Sequence, residues 1–152
     1  MADGFTTGVH VRWSDIDTYQ HINHATMVTL LEEARVDFLR EPFAEDITTI
    51  GLLIHEVRVL YKGQLRLADS PLQVTVWTKR LRAVDFTLGY EVRSVGAKPD
   101  SRPAVIAETQ LAAVETLMRK TPYATPRGFA VRPSFSYGDL TDRTELFRHD
   151  FA

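Results

Sequence analysis

The sequence contains no cysteine. This absence excludes a disulfide scaffold, a thiolate nucleophile and a cysteine-ligated zinc site. An excess of charge of either sign is also missing, since 18 lysines and arginines stand against 20 aspartates and glutamates, for a net charge of −2. A protein that neutralises a run of phosphates normally carries a basic excess, so nucleic acid is not an expected partner.

Long apolar runs are absent as well. Runs such as residues 50–54 fall far short of the roughly 20 residues that a membrane span requires. The first residues have neither a basic nor an apolar signal region, so we expect a cytoplasmic protein with no membrane partner. The 152 residues suit one domain, which we place at residues 1–120. Residues 121–152 are predicted to be an irregular extension that packs on the domain or on a neighbouring subunit.

The hydrophobic pattern predicts one helix and five strands. A first strand is expected over residues 5–13, followed by a polar loop. From Met27 onward apolar residues recur at helical spacing, which predicts a helix over residues 24–40 with Asn23 as its N-cap. Alternating apolar residues predict further strands at residues 53–62, 72–81, 86–93 and 104–118, the last as one strand or two pieces joined by a bulge. The fold class is therefore α+β, with a helix against an antiparallel sheet.

One helix can cover only one face of such a sheet. We place apolar and aromatic residues, Tyr61 and Trp77 among them, on the other face. A second copy of the chain is the simplest cover for that face, so at least a homodimer is expected.

The loop before the helix concentrates the residues that could carry chemistry. Metal binding is one interpretation, but a calcium loop starting at Asp15 would need an oxygen ligand, glycine and glutamate at its fifth, sixth and twelfth positions. The sequence has tyrosine, glutamine and threonine there. A transition-metal cluster of Asp17, His21 and His24 matches no strong spacing rule. No metal and no cofactor are expected.

A structural and a catalytic interpretation of the loop remain. Aspartate and asparagine side chains accept backbone N–H groups near turns and helix starts, which accounts for Asp15, Asn23 and His24 taken singly. Alternatively, free N–H groups at His24 and Ala25 could bind a carbonyl oxygen that gains negative charge. With no cysteine and no Gly-x-Ser-x-Gly motif, a carboxylate is the best available nucleophile or base for acyl transfer or hydrolysis.

The motif W-S-D-x-D-x-x-x-H-x-N at residues 13–23, followed by a helix containing L-E-E-A-R, resembles the acyl-CoA thioesterases of the hotdog fold, in the 4-hydroxybenzoyl-CoA thioesterase-like branch. The resemblance implies a long central helix wrapped by a curved five-stranded antiparallel sheet, in homodimers or homotetramers. It places the catalytic carboxylate on Asp17, with His21 and Asn23 beside it and Asp15 as a more structural carboxylate. The family commonly has glycine before the histidine, where this chain has Gln20.

The resemblance implies hydrolysis of an acyl-CoA substrate. Candidate substrate contacts are Tyr19, Met27 and Leu31 near the helix and, for the coenzyme A phosphates, Lys79, Arg80 and Arg82, with Lys62 and Arg66 as further candidates. An ordinary aspartate is ionised at neutral pH, so Asp17 would serve as nucleophile or general base rather than as an acid. Two alternatives stay open: an enoyl-CoA hydratase in which Asp17 and His21 act on water, and a non-catalytic acyl-CoA binding module.

Overall fold

A computed structural model describes residues 4–43, 50–82 and 85–115. In chain order the elements are β1 (Phe5–Val9), α1 (His24–Phe43), β2 (Ile50–Tyr61), β3 (Leu72–Leu81), β4 (Asp85–Arg93) and β5 (Val105–Glu115). Short 3-10 turns occupy Trp13–Asp15 and Leu67–Asp69. One long helix and five strands confirm the predicted α+β class and the hotdog fold. The predicted extension at 121–152 lies outside the described residues.

The five strands form one open antiparallel sheet with the order β1-β3-β4-β5-β2. Within the described ranges β1 and β2 are therefore the two edges of the sheet. The last strand continues as one piece to Glu115, and the bulges occur elsewhere, between Ile54 and Glu56 in β2 and between Thr78 and Arg80 in β3.

The core lies between α1 and the inner face of the sheet. The predicted helical stripe is buried, with Met27, Leu31 and Phe38 each at most 2% exposed. Phe38 packs on Phe5 of β1, with ring centroids 6.0 Å apart. Each such side chain contributes roughly 1.5–3 kcal/mol by leaving water, so the apolar stripe is what holds the helix on the sheet. None of the helical segments in the described ranges has both the length and the apolar character to cross a bilayer.

The outer face of the sheet is more polar than the sequence pattern suggested. One cross-strand row, read from the register, joins Trp77, Gly89, Glu108 and Arg58. Trp77 is buried over Gly89, where an added Cβ would lie 2.5 Å from the indole ring. The placement of Tyr61 on this face is wrong. Its partner in the ladder is the buried Val105, and its side chain reaches the start of α1.

Candidate active site

The first carboxylate of the loop, Asp15, holds the chain before the site in place. Asp15 is 2% exposed, and its Oδ2 accepts the backbone N–H of Arg12 at 2.8 Å. The Arg12 guanidinium donates to Oδ1 at 3.0 Å, and this hydrogen bond lowers the pKa of Asp15. These contacts close the 3-10 turn at Trp13–Asp15, and β1 ends before it at Val9, opposite Leu72, the first residue of β3. Asp15 therefore has the structural role that the sequence indicated.

The second carboxylate, Asp17, is fixed by the turn that follows it. Asp17 Oδ1 accepts the backbone N–H groups of Tyr19 at 2.9 Å and His21 at 3.1 Å. The backbone of Asp17 also accepts from Gln20 at 3.1 Å and donates to the carbonyl of His21 at 2.8 Å. Asp17 Oδ2 accepts no hydrogen bond from any described residue. The turn thus holds the carboxylate by one oxygen and leaves the other available to a reactant.

Gln20 occupies the position where the resembled family commonly has glycine. Its φ is +66°, in the left-handed region that glycine adopts readily and other residues seldom do. The side chain is exposed, so nothing crowds it. The loop therefore holds Gln20 in a backbone conformation that glycine would adopt without strain.

The start of α1 faces the same region. Asn23 caps the helix, as predicted, because its Oδ1 accepts the N–H groups of Ala25 at 2.9 Å and Thr26 at 3.3 Å. Of the two backbone donors expected from the sequence, Ala25 is thus occupied by the cap. The N–H of His24 has no acceptor among the described residues, and it is the donor left for a ligand.

Asp17, His21 and His24 line one cavity of about 540 Å³. Met27 and Tyr19, two of the predicted substrate contacts, line it as well, and Leu65 and Val105 add apolar surface. The Nε2 atom of His21 is buried and has no hydrogen-bond partner. The cavity therefore combines a carboxylate, an unpartnered imidazole nitrogen and the start of a helix with an apolar wall.

A second cavity of about 520 Å³ also includes Asp17 in its lining. Trp13, Arg66 and Leu67 line it too, and Trp13 is 83% exposed. Arg66 forms no ion pair within the described part of the chain. Asp17 therefore lies where two cavities meet, so a ligand that reaches its carboxylate could extend in two directions.

The structure does not bring every predicted residue to this site. Leu31 is buried in the core at 1% exposure and does not line either cavity. Lys79 is hydrogen-bonded to Glu108, and Arg82 binds Asp85 through two nitrogens at 2.8 and 2.6 Å.

The C-terminal end of β3 carries Lys79 and Arg80, and Arg82 follows it directly. Lys79 and Arg80 border a separate cavity on the outer face. The basic residues beside the site are instead Lys62, in the cavity with His21, and Arg66. Phosphate binding at Lys79, Arg80 and Arg82 stays a prediction, and within one chain they are not part of the Asp17 site.

Tyr61 belongs to the site, although its predicted place was the outer face of the sheet. Its hydroxyl donates to the backbone oxygen of His24 at 2.6 Å, and the two rings meet edge to face with centroids 4.5 Å apart. The signal that could have found it is its strand register, which places Tyr61 on the helix side with Val57 and Val59. In the described residues no group of three or more histidine, aspartate or glutamate side chains is arranged to hold a metal ion.

The model of the thioesterase-like superfamily matches residues 11–129, which include the whole loop, α1 and all the strands after it. No curated protein matches the sequence.

Several solved structures share the fold. A DHNA-CoA thioesterase from Staphylococcus aureus is 20% identical with a TM-score of 0.60, over 72% of this chain and 73% of that one. A gentisyl-coenzyme A thioesterase is 20% identical with a TM-score of 0.63, over 73% and 88% of the two chains. A thioesterase superfamily structure from Jannaschia sp. CCS1 is 15% identical with a TM-score of 0.64, over 74% and 78%.

Proposed function

Since the chain belongs to the thioesterase-like superfamily and is a thioester hydrolase, we propose that it hydrolyses an acyl-coenzyme A thioester to the free acid and coenzyme A, with Asp17 as the catalytic carboxylate. The observation that carries this proposal is the meeting of Asp17 and His24 in one cavity. Asp17 supplies a carboxylate oxygen, and His24 supplies a backbone N–H, and neither atom has a hydrogen-bond partner among the described residues. Thioester hydrolysis needs both, one for the carbonyl carbon and one for its oxygen.

The proposed reaction follows from these two groups. The carbonyl oxygen of the thioester accepts a hydrogen bond from His24 N–H as it gains negative charge. On one route Asp17 Oδ2 attacks the carbonyl carbon, the C–S bond breaks, the thiolate of coenzyme A leaves, and water then hydrolyses the mixed anhydride on Asp17 to the free acid. On the other route Asp17 Oδ2 takes a proton from a water molecule that attacks the carbon, the C–S bond breaks, and that proton passes to the departing thiolate. The two N–H groups that hold Oδ1 keep the carboxylate in one orientation, which reduces the entropy lost on reaching the transition state.

Asp17 lines two cavities, and we assign the acyl half of the substrate to one and the coenzyme A half to the other. We assign the acyl group to the cavity with Met27, because the start of α1 lines it and Met27, Leu65 and Val105 give it an apolar wall. The pantetheine arm leaves through the cavity with Trp13. Arg66 in that cavity and Lys62 at the first are the cations nearest to a phosphate on this path. The names of the DHNA-CoA and gentisyl-coenzyme A thioesterases agree with coenzyme A as the acyl carrier.

We also propose that the working form is a homodimer joined through β2. Among the described strands β2 pairs only with β5, so its other side offers backbone N–H and C=O groups to a second copy. Ile54 and Tyr61 near this edge are each more than 40% exposed, which a partner would cover. Light scattering at micromolar concentration tests this, and a monomer would contradict it.

A thiol-release assay tests the activity over acyl-CoAs from acetyl to palmitoyl together with aromatic acyl-CoAs. In the Asp17→Asn variant the amide oxygen can still accept both loop N–H groups, so the turn stays folded while the carboxylate is lost. We expect hydrolysis to fall by about 10²–10⁴-fold, the usual range for removing a positioned catalytic acid or base.

The control makes the same chemical change elsewhere. Asp37→Asn alters a partly buried aspartate on α1 that binds the Thr7 hydroxyl at 3.0 Å, far along the helix from the site. This variant should keep wild-type turnover. If Asp17→Asn hydrolyses within a few-fold of wild type, Asp17 is not the catalytic group. Loss of an enoyl absorbance without thiol release would instead point to a hydratase.

A further inference from the structure

We propose that Tyr61 is a positioning residue of the hydrolysis, which holds the first residue of α1 so that the N–H of His24 meets the carbonyl oxygen of the thioester. This inference rests on the proposed function, because it assumes that His24 N–H binds that oxygen. Tyr61 itself is not proposed to touch the reacting atoms.

The contact joins the sheet to the helix. Tyr61 is the last residue of β2, and its place in the ladder opposite Val105 fixes its backbone. From there the hydroxyl donates to the backbone oxygen of His24 at 2.6 Å, a short hydrogen bond. The ring adds a second contact, edge to face with the His24 imidazole at 79° between planes. Tyr61 therefore holds both the main chain and the side chain of His24.

The first turn of α1 holds His24 as well. The Asn23 carbonyl, which shares a peptide group with His24 N–H, accepts the N–H of Met27 at 3.0 Å. The His24 carbonyl, on the other side of the Cα, is an acceptor of the helix, and the Tyr61 hydroxyl is a second donor to it from the sheet. With both flanking peptide groups held, the direction of His24 N–H is set before substrate arrives. Preorganised donors of this kind stabilise a developing oxyanion most, and a displacement of about 1 Å can reduce the rate of catalysis by about a hundredfold.

The hydroxyl is suited to act as a lasting donor. Partial burial raises the pKa of Tyr61 above its ordinary value of 10.0, so the proton stays on the oxygen throughout the neutral range. The residue also lines the cavity that contains Asp17, so the link lies at the site and not behind it.

Tyr61→Phe tests the inference because it keeps the ring contact and removes only the hydroxyl. We expect kcat for the best acyl-CoA to fall about tenfold or more while KM changes by less than about twofold, since the substrate cavity keeps its shape. The matched control is Ser101→Ala, which removes another hydroxyl that donates to a backbone carbonyl, that of Lys98, also at 2.6 Å, in a turn that lines neither cavity at Asp17. Its kcat and KM should equal those of wild type.

Tyr61→Leu, which also removes the ring, is expected to lower kcat at least as far as Tyr61→Phe. Turnover is expressed per folded molecule, from circular dichroism melting of each variant. A lower melting temperature with unchanged kcat would mean that the contact is only structural, and would overturn the proposal. Equal increases in KM for both variants would overturn it too, by assigning Tyr61 to substrate binding. If wild type releases no thiol from any acyl-CoA, the proposed function fails first, and this is distinguishable from a failure at Tyr61 alone.

Discussion

Replacing Gln20 by glycine should make this protein more stable, although glycine usually destabilises folded chains. Gln20 is held at φ +66° by the turn in which its own N–H binds the Asp17 carbonyl at 3.1 Å. Its side chain is exposed, so truncation removes little packing. The stability of Gln20→Gly therefore reports mainly on the backbone conformation.

The magnitude follows from two opposing contributions. A residue with a Cβ pays roughly 1–2 kcal/mol in the left-handed region, and glycine is relieved of this. Glycine gains back conformational freedom in the unfolded chain, which destabilises the fold by about 0.5–1 kcal/mol relative to alanine. The net gain lies between about 0 and 1.5 kcal/mol, with its midpoint near 0.75 kcal/mol, and for a chain of this size it raises the melting temperature by up to about 6 °C.

Gln20→Ala is the matched comparison, because it removes the same side-chain atoms beyond Cβ but keeps the strained φ. Differential scanning calorimetry of the three proteins should give the order glycine above alanine, with alanine near wild type. At an ordinary position the order of glycine and alanine is the reverse. If Gln20→Ala melts at or above Gln20→Gly, the loop does not hold a left-handed residue at this position and the description of the Asp17 turn is wrong.

Two further predictions concern the anchors of the same loop. Asn23→Ala removes the helix cap, so the free energy of unfolding measured by urea denaturation should fall by about 1 kcal/mol. Asn23→Ser keeps a capping oxygen, so its free energy of unfolding should fall less. Equal losses in the two variants would show that the cap contributes nothing. Arg12 lowers the pKa of Asp15 in the folded state below its ordinary value of 3.8. The ionised carboxylate therefore stabilises the fold fully at pH values above the unfolded-state pKa. This contribution is lost as the pH falls through the folded-state pKa. The melting temperature of wild type should therefore drop more steeply below pH 4 than that of Asp15→Asn, and parallel curves would contradict this.

The sequence predicted the elements well wherever one face of an element is buried. The strand at 72–81 and the start of the helix at His24 were predicted at their observed positions, because apolar periodicity and the Asn23 cap are local signals. The end of the first strand was predicted too late. Alternation continues to Trp13, but the pairing of β1 with β3 ends at Val9, before the 3-10 turn.

A sequence pattern shows which residues share a face of a strand but not which face meets the helix. The alternation of Val57, Val59 and Tyr61 groups these residues, and the ladder, in which Tyr61 pairs with the buried Val105, shows that their face is the one toward α1. The occupation of Ala25 N–H by Asn23 is a matter of cap geometry, and sequence alone treats both first-turn donors as equal. The basic residues at 79–82 form a cluster in the sequence, yet their ion pairs with Glu108 and Asp85 lie far from the loop.

The strand order has a consequence for the path of folding. β3 and β4 are close in sequence and form a hairpin, whereas β1 pairs with β3 across nearly half of the chain. The Thr6 and Thr75 hydroxyls, for example, are hydrogen-bonded although they lie 69 positions apart. Because closing a long loop costs entropy before its contacts form, we expect the hairpin to form early and β1 to dock late. The loop with Asp17 connects β1 to α1, so the catalytic geometry is completed only in the last steps. A partly folded chain that already contains the β3–β4–β5 meander would have much of the sheet and no working site.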